Sequence, residues 1–252
     1  MGLDIYAGTY TRYYARNWKT VNQQFCEANG YEYHRICADN SPPPPAEEVM
    51  AVVNNWEEQL VQVLKNSGVP SADPWEENNE KPYYTSKPDW DAMNALLLYA
   101  ASRLLEEDFP KDFPKNTDIY KHPLMQKIDG NEKVNSWSLF KGVCHWIPID
   151  DSIMFGFPLP NGVNADIATT ALLKNELLKI NELGWNADRD TILSWAETEG
   201  YPCDGEISGN KIELMQVNEV YDTESLTKFA FSILWEAAEF AEKERVPIIL
   251  DF

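Results

Sequence analysis

Leu3, Ile5 and Ala7 alternate with Asp4, Tyr6 and Gly8 at the start of the chain, the period of two that marks a half-buried strand, and Gly8 ends it. The period then lengthens. Tyr14, Trp18, Val21, Phe25 and Ala28 share one face of a helix that Thr9 or Thr11 can cap, predicted to run to about Asn29 with Gly30 as its stop. The short aromatic run Tyr31–Cys37 reads as a strand. Pro42–Pro45 cannot donate backbone hydrogen bonds and favour an extended connector, with a ligand for a proline-binding module as the alternative. Val49, Val53, Trp56, Leu60 and Leu64 set one face of a helix from about Ala46 to Asn66, and Glu47 and Glu48 suit its N-terminal dipole.

Val69–Lys87 is acidic, aromatic and longer than an ordinary connector, so it is either functional or loosely ordered. Asp89 is the expected cap of a helix whose Met93–Leu105 stretch is apolar on most faces and therefore central. Between Ile119 and Trp137 the pattern is uninformative. Leu139–Ile149 and Ser152–Leu159 read as strands joined by a hairpin turn at Asp150-Asp151, with Pro148 and Pro158 favouring edge positions. Pro160-Asn161-Gly162 marks a turn. Helices are predicted from about Asp166 to Leu183 and from Asp188 to Glu199, and Lys211–Val217 reads as a strand. A long helix capped by Asp222 or Thr223 runs to about Glu244, and Val246–Phe252 closes the chain as a strand with Ile248–Leu250 fully buried.

Strands at both ends and in the middle, with helices between them, predict the α+β class. The expectation is a single globular domain over residues 1–252, with about six helices around a mixed β-sheet that includes the N- and C-terminal strands. Pro42–Pro45 is the best competing boundary.

Charge narrows the function. The chain carries 41 acidic against 21 basic residues, a formal net charge of −20. Residues 1–35 sum to +1, so everything after them is strongly acidic. Such a surface repels nucleic acid and anionic membranes and attracts cationic partners. No stretch resembles a signal peptide or a membrane span, and Tyr6 stands where a myristoylation motif needs Ser or Thr. Cys26, Cys37, Cys144 and Cys203 are few and widely spaced, which reads as reduced thiols in a cytoplasmic protein.

Candidate chemistry is sparse. Arg12 and Arg16, four apart in the first turns of the predicted helix, with Tyr13 and Tyr14 beside them, form a candidate binding edge for a phosphate, a carboxylate or an acidic segment. The alternative is that these cations pair with the chain's own carboxylates. Trp75, Glu76 and Glu77, with Tyr83 and Tyr84 near, resemble a protein-contact surface in the long loop. Cys26, His34 and Cys37 match no zinc spacing, so no metal is expected. Cys144, His145 and Asp150 are parts of a nucleophilic site, but no nucleophile elbow accompanies them. No glycine-rich phosphate loop occurs and no cofactor is expected.

The segments MGLDIYAGTYTRYYARNWKTVNQQ, PWEENNEKPYYTSKPDWDA and LLLYAASRL resemble an uncharacterised family of bacterial cytoplasmic proteins over roughly the first 105 residues. That resemblance brings no activity, cofactor or catalytic residue with it. Two functions are carried forward. One is a protein-interaction module, toxin-immunity-like in character, that binds a basic partner. The other is a small-ligand or anion-binding protein or enzyme, with its site at the Arg12/Arg16 edge or around His145.

Overall fold

The computed structural model describes residues 2–33, 42–202, 205–208, 211–214 and 219–252. In chain order the first elements are strand β1 (Asp4–Ala7), helices α1 (Tyr10–Tyr14), α2 (Val21–Ala28) and α3 (Ala46–Asn66), strand β2 (Tyr84–Ser86) and helix α4 (Asp89–Leu105). Strand β3 (Asp112–Pro114), helix α5 (Pro123–Ile128), and strands β4 (His145–Ile147), β5 (Met154–Pro158) and β6 (Asn164–Thr169) follow. Helices α6 (Thr170–Leu183) and α7 (Arg189–Thr198), strands β7 (Gly205–Ser208), β8 (Lys211–Leu214) and β9 (Val220–Asp222), helix α8 (Thr223–Glu244) and strand β10 (Ile248–Asp251) complete it. The class is α+β as expected, with eight α-helices rather than about six among the described residues.

The chain divides into two compact units. One comprises residues 1–87, 136–176 and 236–252, the other 88–135 and 177–235. The first holds a mixed six-stranded sheet in the order β2-β1-β10-β4-β6-β5. β1 and β10 pair antiparallel from Asp4↔Asp251 to Ala7↔Ile248: both terminal strands belong to the sheet, as the sequence predicts, and the structure makes them neighbours. β1 sits between two strands, and Ile5, Tyr6 and Ala7 are all fully buried. Tyr6 tolerates this because its hydroxyl donates to Thr9 O at 3.0 Å. The core of this unit gathers Tyr10 and Trp18 with Val53, Trp56, Leu60 and Leu64 of α3 and Ile147, Ile167 and Ile249 of the sheet.

The second unit contains α4, α5 and α7 with the two-stranded ladders β3–β9 and β7–β8. Ala92–Ala101 of α4 are almost wholly buried, as its all-round apolar pattern predicts. An aromatic cluster lies in the same unit: Tyr99 stacks on Trp185 with centroids 4.4 Å apart, and Trp195 and Phe231 meet Trp185 edge-on.

Several expectations are corrected. The helix predicted to run continuously to Asn29 breaks, because Arg16 takes a left-handed φ of 53° and Thr20 caps a new start by accepting from Gln23 N. Trp18 is thereby turned into the core, while Phe25, assigned to the buried stripe, is 57% exposed. The strands predicted as a hairpin through Asp150-Asp151 do not pair. β6 lies between β4 and β5, parallel to one and antiparallel to the other. Residues 166–169, read as helix, belong to β6, and the hairpin turn is at Pro160–Gly162, where Leu159 N donates to Val163 O at 2.8 Å. β5 is an edge strand as Pro158 requires, but β4 is interior and stops before Pro148. Asp89 begins α4 and Pro88 is its N-cap residue. The strand predicted over residues 31–37 lies mostly outside the described residues, as do His34, Cys37 and Cys203.

Candidate interaction site at the N-terminal edge

The first turn of α1 leaves backbone N–H groups that need acceptors. Thr9 supplies one, its hydroxyl oxygen accepting from Arg12 N at 3.2 Å. Glu77 supplies the others. Its Oε1 accepts from Tyr10 N at 3.1 Å and its Oε2 from Thr11 N at 2.8 Å. The anion that this edge calls for therefore comes from the protein's own loop. Oε1 also accepts from Trp75 Nε1 at 2.8 Å. Burial pushes the Glu77 carboxyl above its ordinary pKa, and hydrogen bonds from Thr11, Trp75 and Tyr10 pull it back only in part.

A second carboxylate, unforeseen as a partner, stands on α3. Glu57 is 4% exposed and its Oε1 accepts from Trp75 N at 2.5 Å. Burial raises its pKa to about 7, with the nearby negative charge of Glu77 adding to the rise against the pull of the Trp75 N–H. Trp75 thus bridges two buried acids, and it packs edge-on against Trp56, whose ring meets Tyr10 at 5.1 Å. The Tyr10 hydroxyl lies 3.3 Å from Nδ1 of His145, and burial holds that imidazole down at a pKa of about 4, neutral at pH 7. Spacing could have found Glu57: it stands four residues after Val53 and three before Leu60, on the apolar face of α3.

The structure separates the two arginines. α1 ends at Tyr14, so Arg12 and Arg16 do not share a helical face. Arg12 Nη1 donates to Asn17 O at 2.9 Å, and Nη2 donates to Asn79 O and to Lys81 O at 3.2 Å. Its guanidinium lies over Tyr83, 5.0 Å from the ring centroid. Arg12 therefore clamps the loop at 79–83 to α1. Arg16 is exposed and supplies the left-handed residue that ends the turn. The Tyr13 hydroxyl donates to Asp251 Oδ1 at 2.6 Å and ties α1 to β10. Of the loop trio, Trp75 and Glu77 are buried and Glu76 alone is exposed, 4.0 Å from Lys81 Nζ. Cys144 donates to Gly142 O at 3.4 Å, and burial pushes its thiol up, which disfavours the thiolate a nucleophile needs. Among the described residues no cluster of three His, Cys, Asp or Glu side chains could hold a metal, and no helix is long and apolar enough to cross a membrane.

A groove of about 320 Å³ opens beside this edge. Tyr14 of α1 forms one wall, and Glu48, Val49, Val52 and Val53 of α3 form the floor and rim. Pro44 ahead of α3 and Pro160-Asn161 of the β5–β6 turn close it. Tyr14, α3 and the Pro160–Gly162 turn are each expected from the sequence, and only the fold brings them together.

No protein-family model matches the chain, no curated protein is detectably similar to it, and no solved structure matches it.

Proposed function

We propose that the protein is an acidic interaction module that holds a basic protein partner. The observation supporting this reading is the state of its surface carboxylates. Glu47, Glu48, Glu58, Glu80, Asp150 and Asp166 are exposed and make no ion pair among the described residues. Several lysines are already engaged elsewhere, Lys19 with Glu27, Lys65 with Asp73 and Lys174 with Glu242. The uncompensated charge steers cationic surfaces toward the protein and disfavours anionic ones. An immunity protein that neutralises a toxin is one form such a module takes. The alternative site at Arg12 and around His145 draws less support, because Nη1 and Nη2 of Arg12 donate to backbone carbonyls of residues 17, 79 and 81, its Nε is buried, and Nδ1 of His145 faces the Tyr10 hydroxyl.

Affinity purification of the tagged protein from cells that produce it, at low and high salt, tests the proposal. A basic protein retained at low salt and released at high salt is the expected result. Retention indifferent to salt, or no basic protein retained, would overturn it.

A further inference from the structure

The groove beside Tyr14 gives the acidic surface a place with shape. Its floor is buried Val49 and Val53, and Val52 stands at the rim, 54% exposed. Its walls are stiff: two prolines, β-branched valines and a tyrosine whose ring is 5.9 Å from that of Tyr10 lose little freedom when something settles against them. The volume is at the lower end of what encloses a small ligand or one large side chain. Among the described residues Glu48 is the charged one in the lining, and Glu47 precedes it; neither makes an ion pair among them. Among the described residues no lysine or arginine lines the groove, so they offer no opposite charge to an anionic group. Glu48 and Val52 are one turn apart on α3, which sets an acid and an apolar contact about 6 Å apart. That separation suits an apolar residue and a basic residue close together on one extended segment.

We propose that this groove receives an apolar side chain from a partner protein, and that Glu47 and Glu48 hold the lysine or arginine residues flanking it. The inference rests on the reading of the protein as a holder of a basic partner and says where and by what the partner is gripped.

Methyl NMR of the isotope-labelled protein tests it, with the capped peptide Gly-Lys-Lys-Leu-Lys-Gly as probe at about 1 mM, where even weak fragments register. The Val49, Val52 and Val53 methyl signals should shift saturably and return as salt is added. A peptide with serine for leucine, or glutamate for the lysines, should leave them in place. Val52→Asp should abolish the shifts while the rest of the spectrum stays that of the folded protein. Equal shifts with the serine peptide, or none with any peptide, would overturn the groove assignment and leave the basic-partner reading to its salt test. Equal shifts with the glutamate-flanked peptide, or with a neutral apolar molecule alone, would remove the charge argument from the groove. Concentration-dependent shifts without peptide would assign the groove to a second copy of the chain and overturn the proposal.

Discussion

Replacing Glu77 with alanine tests whether the loop carboxylate builds the start of α1. The substitution strips the acceptor from Tyr10 N, Thr11 N and Trp75 Nε1. Tyr10 and Thr11 are fully buried and Trp75 nearly so, and water reaches them poorly. Each buried donor left without an acceptor costs about 1–3 kcal/mol, offset in part because the carboxylate no longer has to be desolvated. A net loss of about 3–5 kcal/mol follows, and in a chain of this length each kcal/mol moves Tm by about 2–4 °C. The variant should therefore melt about 6–20 °C below the wild type in a calorimetric scan. Glu77→Gln separates the contributions. Its amide oxygen can still serve Tyr10 N and Trp75 Nε1, but its NH2 faces Thr11 N–H, a loss of about 1–3 kcal/mol. The order wild type, glutamine, alanine is the expected result. An alanine variant within about 2 °C of the wild type would refute this account of the edge.

Three further outcomes follow from the same region. The folded pKa of Glu57, about 7, lies above its ordinary 4.5, so its contribution is full below 4.5 and lost as pH rises through 7. Glu57→Gln should flatten that part of a stability-versus-pH curve and gain up to about 3 kcal/mol at pH 8; His145 runs the other way, its contribution lost as pH falls from 6.5 through about 4. An unchanged slope between pH 4.5 and 7 would count against a carboxyl at Glu57 whose pKa is raised by burial. Arg12→Ala should lose about 2–4 kcal/mol and expose residues 79–83 to protease, and Arg12→Lys should recover less than half, because a single ammonium nitrogen cannot stand where both Nη1 and Nη2 of the planar guanidinium reach their carbonyls. Gly8→Ala should destabilise by about 1–3 kcal/mol in denaturant titration, because its new methyl would stand 2.3 Å from the buried Tyr6 hydroxyl and 2.9 Å from Tyr83 Cβ.

Elements with a long, uninterrupted apolar stripe were legible in the sequence. α3 has the predicted bounds, Ala46–Asn66, and α8 and β10 lie where their patterns place them. The first helix misled because its stripe continues past the point where the backbone turns: spacing records which residues are apolar and carries no trace of the left-handed φ at Arg16. β6 was misread as helix because Ile167 and Ala168 begin a run that α6 continues, and its place between β4 and β5 is a long-range choice. The residues of the edge were legible as types and hidden as roles. Glu77 and Trp75 stand out as an acid beside an aromatic, but nothing local says that Tyr10 N and Thr11 N, more than sixty positions away, will bury them. The groove depends on three segments far apart in the chain and has no sequence pattern of its own.

The central claim is that surplus carboxylates hold a basic partner, and the salt dependence of that binding tests it most directly. With the retained protein purified, Kd would be measured between about 50 and 500 mM salt for the wild type and for Glu47→Lys combined with Glu48→Lys. Both residues are exposed and unpaired among the described residues, so the double variant should fold, with Tm lowered only by the reversed charge at the N-terminus of α3, about 1–2 kcal/mol. The account predicts that wild-type affinity falls steeply with salt, and that the charge-reversed protein binds at least about tenfold more weakly at low salt with a shallower slope. Equal affinities and parallel slopes for the two proteins would contradict it.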